Sequence, residues 1–257
     1  MEFIDYIRSC VGRGILVGGH RGHKSEIREN TIDNFAQIEG RVAYIEVDVQ
    51  LTMDKKAVLF HDKSLAVEDG IHGMICEHTL KDLKENIGVC TIDESMEWCV
   101  NHDMAMAIEI KSEHLSCEED RELLAELIAK AVKAHDFYNK CFVFSIDLKI
   151  LKKIKRIDSM INIGVIPLDK TIEPISFMKD MDAVVYLTYM DNLSKETVSC
   201  LHEAGYIVDG SVANSIEDVK RAVMLGVDLI ESDEPEKIME WLEENYDCKL
   251  SYPYEMV

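Results

Sequence analysis

Residues 44–49 read YIEVDV, and this short stretch decides the fold. Ile45, Val47 and Val49 make one apolar face, while Glu46 and Asp48, spaced by two, point together to the other side. Similar runs rich in β-branched residues lie on either side of it. Ile15–Gly19 precedes it; Ala105–Ile110, Cys141–Ser145, Asn162–Val165, Ala183–Leu187, Tyr206–Asp209 and Asp228–Glu231 follow. That makes eight strands, and a short Ala57–Phe60 run is read as an extension of the second. Most are apolar on both faces, as parallel strands covered by helices should be. Between them lie amphipathic stretches with legible ends. Ser116-x-x-Glu119 predicts a capping box, followed by an apolar face of Leu123, Leu124, Leu127, Ile128, Ala131 and Val132. Ser215-x-x-Asp218 starts another helix that stops at Gly226, Ser194 and Gly205 bracket a third, and Pro235 sits in a first turn.

Eight βα units in 257 residues predict an α/β fold of the (β/α)8 TIM-barrel type. A doubly wound open sheet is the rival, but no G-x-G-x-x-G follows the first strand. The stretch at about 62–93 is too long for a simple loop. It is expected to be a small insertion after the second strand, with a short helix near Thr79–Asn86. No linker or repeat divides the chain, so residues 1–257 are expected to form a single domain.

Twenty-eight Lys and Arg against 49 Asp and Glu leave a formal charge of −21, which argues against a nucleic-acid partner and against docking on anionic lipid. No segment reaches the roughly 18 apolar residues of a membrane span, and no stable membrane insertion is expected. The eight cysteines include no C-x-x-C pair. They read as reduced, structural thiols rather than a zinc or disulfide framework, and a cytoplasmic location is expected.

In such a barrel the chemistry sits at the C-terminal ends of the strands. There the sequence places His20 and Arg21, Glu46 and Asp48, His61 and Asp62, then Glu109 and Lys111. Three carboxylates converging on a barrel interior demand compensation, and a hard divalent cation is the usual solution. The two histidines lack an H-x-H or H-E-x-x-H pattern, so they read as acid/base groups rather than zinc ligands. Arg21 and Lys111 supply the positive charge that a phosphate needs. No Gly-x-Ser-x-Gly elbow is present, so a protein nucleophile is not expected.

In chain order, His20-Arg21-Gly22, Glu29-Asn30-Thr31, Glu46-Val47-Asp48-Val49, Thr52-x-Asp54, His61-Asp62 and Ile108-Glu109-Ile110-Lys111 resemble the glycerophosphodiester phosphodiesterase family. Ser145-Ile146-Asp147 and Gly226-Val227-Asp228 through Ser232-Asp233-x-Pro235 continue the resemblance, which spans about residues 15–240. It implies a metal-dependent hydrolase that converts glycerophosphodiesters to glycerol 3-phosphate and an alcohol. By the same resemblance Glu46, Asp48 and Glu109 would be ligands of one Mg²⁺ or Ca²⁺. His20 and His61 would be the general acid/base pair, and Arg21 and Lys111 the phosphate contacts.

The sequence departs from the family pattern in three places. Arg28 stands where a Pro often precedes E-N-T, and with His23 and Lys24 makes a basic first loop. Leu65-Ala66-Val67-Glu68-Asp69 replaces an Arg-Thr-rich start of the insertion, and Ser211-Val212-Ala213-Asn214 replaces W-T-V-N. Two alternatives stay open: a lysophospholipid-directed phosphodiesterase on the same barrel, and a barrel that binds metal or phosphate without turnover. Singly, Glu46 and Asp48 could be strand-edge acids, and Lys111 could merely pair with Glu109. The oligomeric state and the preferred alcohol are not encoded in any motif.

Overall fold

The computed structural model describes residues 3–66, 70–168 and 172–246. Val67, Glu68 and Asp69 of the altered insertion start, and Cys248, lie outside them. Eight parallel strands close into a barrel: β1 (Leu16–Gly19), β2 (Tyr44–Leu51), β4 (Ala105–Ile110), β5 (Cys141–Ser145), β6 (Ile163–Val165), β7 (Val185–Leu187), β8 (Ile207–Asp209) and β9 (Leu229–Ser232). Each pairs with the next, and β9 returns to β1. The expected (β/α)8 architecture is therefore the observed one.

The Ala57–Phe60 run does not lengthen the second strand. Thr52 N–H bonds the Lys56 carbonyl at 2.9 Å and the chain turns back, so β3 (Ala57–Leu59) pairs antiparallel with β2. This hairpin raises His61 over the C-terminal rim. The segment beyond it carries α3 (Leu80–Ile87), capped by Thr79, and packs Leu65, Ile75, Leu83 and Ile87 on Val58 and Phe60 as a small separate core. The next barrel helix, α4 (Ile92–Asn101), already begins inside the stretch expected to be insertion.

Two apolar layers hold the barrel. The larger lies between strands and outer helices. The smaller fills the barrel interior with Leu16, Ala105, Ala107, Phe142, Val185, Ile207 and Leu229, and it is plugged from below by Phe3, Ile4 and Ile7 of α1 (Phe3–Cys10). Each of those three side chains is essentially fully buried, a contribution of roughly 2 kcal/mol apiece. Tyr44 lies flat across this interior against Gly18. A Cβ at Gly18 would come within 2.4 Å of the Tyr44 ring, so the position admits only glycine.

Helix ends follow the sequence in most places. Ser215 caps α9 (Ile216–Leu225), which Gly226 ends at φ +79°; Ser194 caps α8 (Lys195–Glu203), and Pro235 opens α10 (Pro235–Asn245). The exception is α5 (Glu118–Ala134). Its N-cap is Cys117, one residue beyond the expected Ser116, and no side chain caps it. Three successive acids, Glu118, Glu119 and Asp120, favour the helix start through its dipole instead.

Candidate active site

Register brings the acids together. Asp48 on β2 pairs directly with Glu109 on β4, and both point, with Glu46, into the C-terminal mouth of the barrel. One oxygen from each of these three carboxylates lies within 4.8 Å of the others, the only such trio among the described residues. Glu46 and Asp48 are buried. Burial, then the charges of Asp48, Glu231 and Glu109, push the Glu46 carboxyl well above its ordinary range. Burial also raises Glu109, against the pull of Lys111. An all-oxygen, hard, acidic donor set of this kind fits a divalent cation.

The positive groups sit directly on these acids. Lys111 Nζ is 2.8 Å from Glu109 and 3.2 Å from Asp48. Burial would lower its pKa, but Asp48 and Glu109 outweigh that and lift it to about 12. Arg21 sits at φ +55°, a left-handed conformation that costs a non-glycine residue about 1–3 kcal/mol. That turn aims its backbone N–H at Glu46 Oε2 (3.0 Å) and its side chain at Glu29 (3.1 Å) and Asp48 (3.4 Å). Arg21 Nε is buried and faces Asp48 Oδ2 without hydrogen-bond geometry, so the Asp48 contact is one of charge. Asn30 fixes Asp48 twice, donating to Oδ2 at 2.9 Å and accepting from the Asp48 N–H at 3.1 Å.

The two histidines both line this mouth. His20 Nδ1 is 2.6 Å from Asp233 Oδ1, and Asn214 donates to the other Asp233 oxygen at 2.8 Å. His61 Nδ1 is 2.8 Å from Asp62 Oδ1. In each ring the contact at Nδ1 leaves Nε2 available for proton transfer. Gln50, buried on β2, donates to the carbonyls of Phe60, His61 and Asp62 at 2.8–3.1 Å and so holds the turn that presents His61. Sequence reasoning gave no role to Gln50, Asn30, Asn214 or Asp233. Three of these lay inside quoted motifs, and the period-two pattern of β2 could have flagged Gln50 as a third inward polar residue after Glu46 and Asp48.

A cavity of about 530 Å³ opens here, bounded by His20, Arg21, His61, Glu109 and Lys111. Its other wall is apolar: Phe144, Ile146, Ile166, Leu168, Leu187 and Tyr189. A second cavity of about 520 Å³ shares Arg21 and His61 and is lined by His23, Lys24 and Arg28 of the basic first loop. All seven residues expected at the site thus border one mouth or support it. His202, on α8, pairs with buried Asp228 at 2.9 Å, away from that mouth.

Fold and site together define a (β/α)8 barrel protein with a metal-competent acidic centre beside two carboxylate-held histidines. The sequence profile of the glycerophosphoryl diester phosphodiesterase family matches residues 20–237, and the chain belongs to that family. It is 27% identical to a glycerophosphodiester phosphodiesterase of Caldanaerobacter subterraneus subsp. tengcongensis over 237 residues, 87% of this chain and 96% of that one. A Bacillus altitudinis glycerophosphodiester phosphodiesterase is 26% identical, covering 88% of this chain and 97% of its own. Among solved structures, an Oleispira antarctica phosphodiesterase in complex with the product sn-glycerol-3-phosphate superposes with a TM-score of 0.78 at 22% identity, over 90% of this chain and 97% of that one. A glycerophosphodiester phosphodiesterase from Parabacteroides distasonis gives 0.78 at 19%, covering 90% and 98%. Among the described residues no helix is long and apolar enough to cross a membrane.

Proposed function

We propose that the chain, as one catalytic domain, hydrolyses glycerophosphodiesters to glycerol 3-phosphate and an alcohol. The observation that carries this reading is the convergence of Glu46, Asp48 and Glu109 beside Arg21 and Lys111, flanked by two carboxylate-held histidines. Family membership and the glycerol 3-phosphate bound to the Oleispira relative support the same substrate. Glu46, Asp48 and Glu109 would hold one Mg²⁺ or Ca²⁺. Such an ion, when bound, supplies positive charge to phosphoryl oxygens and acidifies a nearby hydroxyl.

The chain's own groups do the rest. Arg21, which lines both cavities, and Lys111 hold the phosphate and offset the charge that grows on it. One histidine takes a proton from the attacking hydroxyl and the other gives one to the departing alcohol. The attacking oxygen is the substrate's own glycerol 2-hydroxyl. It forms a cyclic phosphate as the phosphorus–alcohol bond breaks, and water then opens the ring. Cys76, Cys90, Cys99, Cys117, Cys141 and Cys200 are free thiols, which supports a reducing, cytoplasmic setting.

One observation favours a second reading. Leu168 and Tyr189, at the rim of the apolar wall, are 73% and 71% exposed, and an acyl chain could lie along them. That would make lysophospholipids substrates of the same chemistry. Turnover of glycerophosphocholine, glycerophosphoethanolamine and lysophosphatidylcholine in Mg²⁺ or Ca²⁺ tests both. Cleavage of the water-soluble diesters supports the first reading and preference for the lysolipid the second. No turnover of any would leave a binding protein.

A further inference from the structure

Glu231 ends β9 inside the barrel and is used by nothing described so far. It is 3% exposed, lines the 530 Å³ cavity, and its Oε1 has no hydrogen-bond partner among the described residues. Beneath it, the fully buried Asp209 is also short of a partner at Oδ2, while its Oδ1 takes the Ser211 hydroxyl. Ser211 Oγ in turn accepts the Glu231 N–H at 3.1 Å, so Glu231 is tied to Ser211 while its Oε1 stays without a partner. A buried acceptor left empty is costly unless a ligand supplies the missing donor.

Depth selects the donor. Glu231 pairs in register with Gly18, two residues before His20, so it lies below the catalytic rim. Outward, the cavity passes the exposed Leu168 and Tyr189 and has room for a bulky group. Phe144, Leu187 and Ser211, which line the same cavity, are buried. Glu231 also stands outside the trio whose oxygens converge within 4.8 Å, so it is not a fourth member of that set. A trimethylammonium group offers no N–H or O–H, and would leave Oε1 unpaired. A primary hydroxyl satisfies it.

We propose that Glu231 accepts a hydrogen bond from the terminal hydroxyl of the glycerol moiety, and that this contact sets the orientation and selectivity for glycerol on the inner side of the scissile phosphate. The inference rests on the glycerophosphodiester reading above. It makes Glu231 a specificity residue, distinct from the groups that move protons or hold the ion.

The test crosses a substrate deletion with a side-chain change. Wild type and Glu231→Gln are compared on a glycerol phosphodiester and on the matching propane-1,2-diol phosphodiester, which keeps the 2-hydroxyl but lacks the terminal one. Wild type should lose about 10–100-fold in kcat/KM on the shortened diester, as expected when a buried hydrogen-bonding group is left without its partner. Glu231→Gln should lose a similar factor on the glycerol diester, and on the shortened one the two enzymes should agree within about twofold. The apparent affinity for Mg²⁺ or Ca²⁺ should be unchanged. Equal losses on both diesters, or a parallel loss of ion affinity, would overturn the assignment. So would a wild type indifferent to the terminal hydroxyl. If wild type cleaved neither diester, the proposed function would fall first. Calorimetric binding of glycerol 3-phosphate against propane-1,2-diol 1-phosphate to both ion-loaded proteins would then decide Glu231 by itself, equal wild-type affinities overturning it.

Discussion

Nδ1 of His20 lies 2.6 Å from Oδ1 of Asp233, across the seam where β1 meets β9 and the barrel closes. Asp233 is itself clamped by Asn214, which donates to Oδ2 and accepts the Asp233 N–H, both at 2.8 Å. Closure of the sheet therefore orients the imidazole, and Asp233 acts as a positioning residue. Asp233→Asn should lower kcat by about 10–10²-fold while leaving KM and ion affinity nearly unchanged, a share of the roughly 10²–10⁴ that a placed acid/base provides. His61→Ala should lose the full range in kcat, again with the ion retained. Loss of the ion in either variant would make the histidines ligands, and the mechanism would need redrawing.

The same contact predicts a pH effect on stability. The His20 hydrogen bond holds the Asp233 carboxyl below its ordinary value of 3.8, against a smaller opposing effect of burial. A carboxylate with a depressed folded pKa stabilises fully above its unfolded pKa and loses that contribution as pH falls through the folded one. The gap in urea midpoint between wild type and Asp233→Asn should thus hold level from neutral pH down to about 5 and shrink below 3.8. A gap that persisted into strong acid would contradict it.

Glu109 tests the ion. It contributes one oxygen to the carboxylate trio and is neutralised in part by Lys111 at 2.8 Å. Glu109→Gln removes a ligand charge without changing shape, so its activity should require much higher Mg²⁺ or Ca²⁺ than wild type. Chelation should silence wild type, and either ion should restore it. Full activity of the variant at low metal, or of wild type in excess chelator, would remove the ion from the reaction.

How much of this was legible in the sequence depends on where the information lies. Strand order and the inward acids were legible because period-two alternation states both directly: YIEVDV predicts a buried strand and a shared direction for Glu46 and Asp48. The direction of β3 was not, because Ala57–Phe60 is too short to carry polarity and the turn at Thr52 decides it through a backbone bond. The start of α5 slipped by one residue because Ser116 and Cys117 compete for one cap ahead of an acidic turn. Supporting groups were hidden for another reason. Gln50, Asn30 and Asn214 act through loop carbonyls and carboxylates that only the closed barrel brings near.

Arg21 shows how backbone and charge combine. Its left-handed φ turns one residue so that its N–H reaches Glu46 and its guanidinium reaches Asp48 and Glu29. Replacement by Ala should raise KM and lower kcat together, since contacts to the phosphoryl oxygens strengthen as charge develops. Arg21→Lys should rescue only in part, because the planar fork is lost. An unchanged kcat/KM for Arg21→Ala would take the residue out of the phosphate site.

The attacking group is the last matter the geometry bears on. The serine and threonine hydroxyls lining the cavity each have a partner: Ser211 donates to Asp209, and Thr188 accepts from Asn192 at 3.1 Å. Ser145, on the strand beside Glu109, donates to the Ile110 carbonyl at 2.7 Å. None is paired with His20 or His61, whose Nδ1 atoms face Asp233 and Asp62. A substrate 2-hydroxyl is already tethered to the phosphorus, and such intramolecular attack reaches effective molarities of about 10⁵–10⁸ M. Two histidines that line one cavity, each with Nδ1 on a carboxylate, suit a transfer in which one accepts the hydroxyl proton and the other protonates the departing alcohol. A diester whose 2-hydroxyl is replaced by hydrogen or methoxy should therefore bind comparably and turn over orders of magnitude more slowly. A transient 1,2-cyclic phosphate should be detectable with the normal substrate by phosphorus NMR. Comparable turnover of the blocked diester would mean that water attacks directly and that no cyclic phosphate forms.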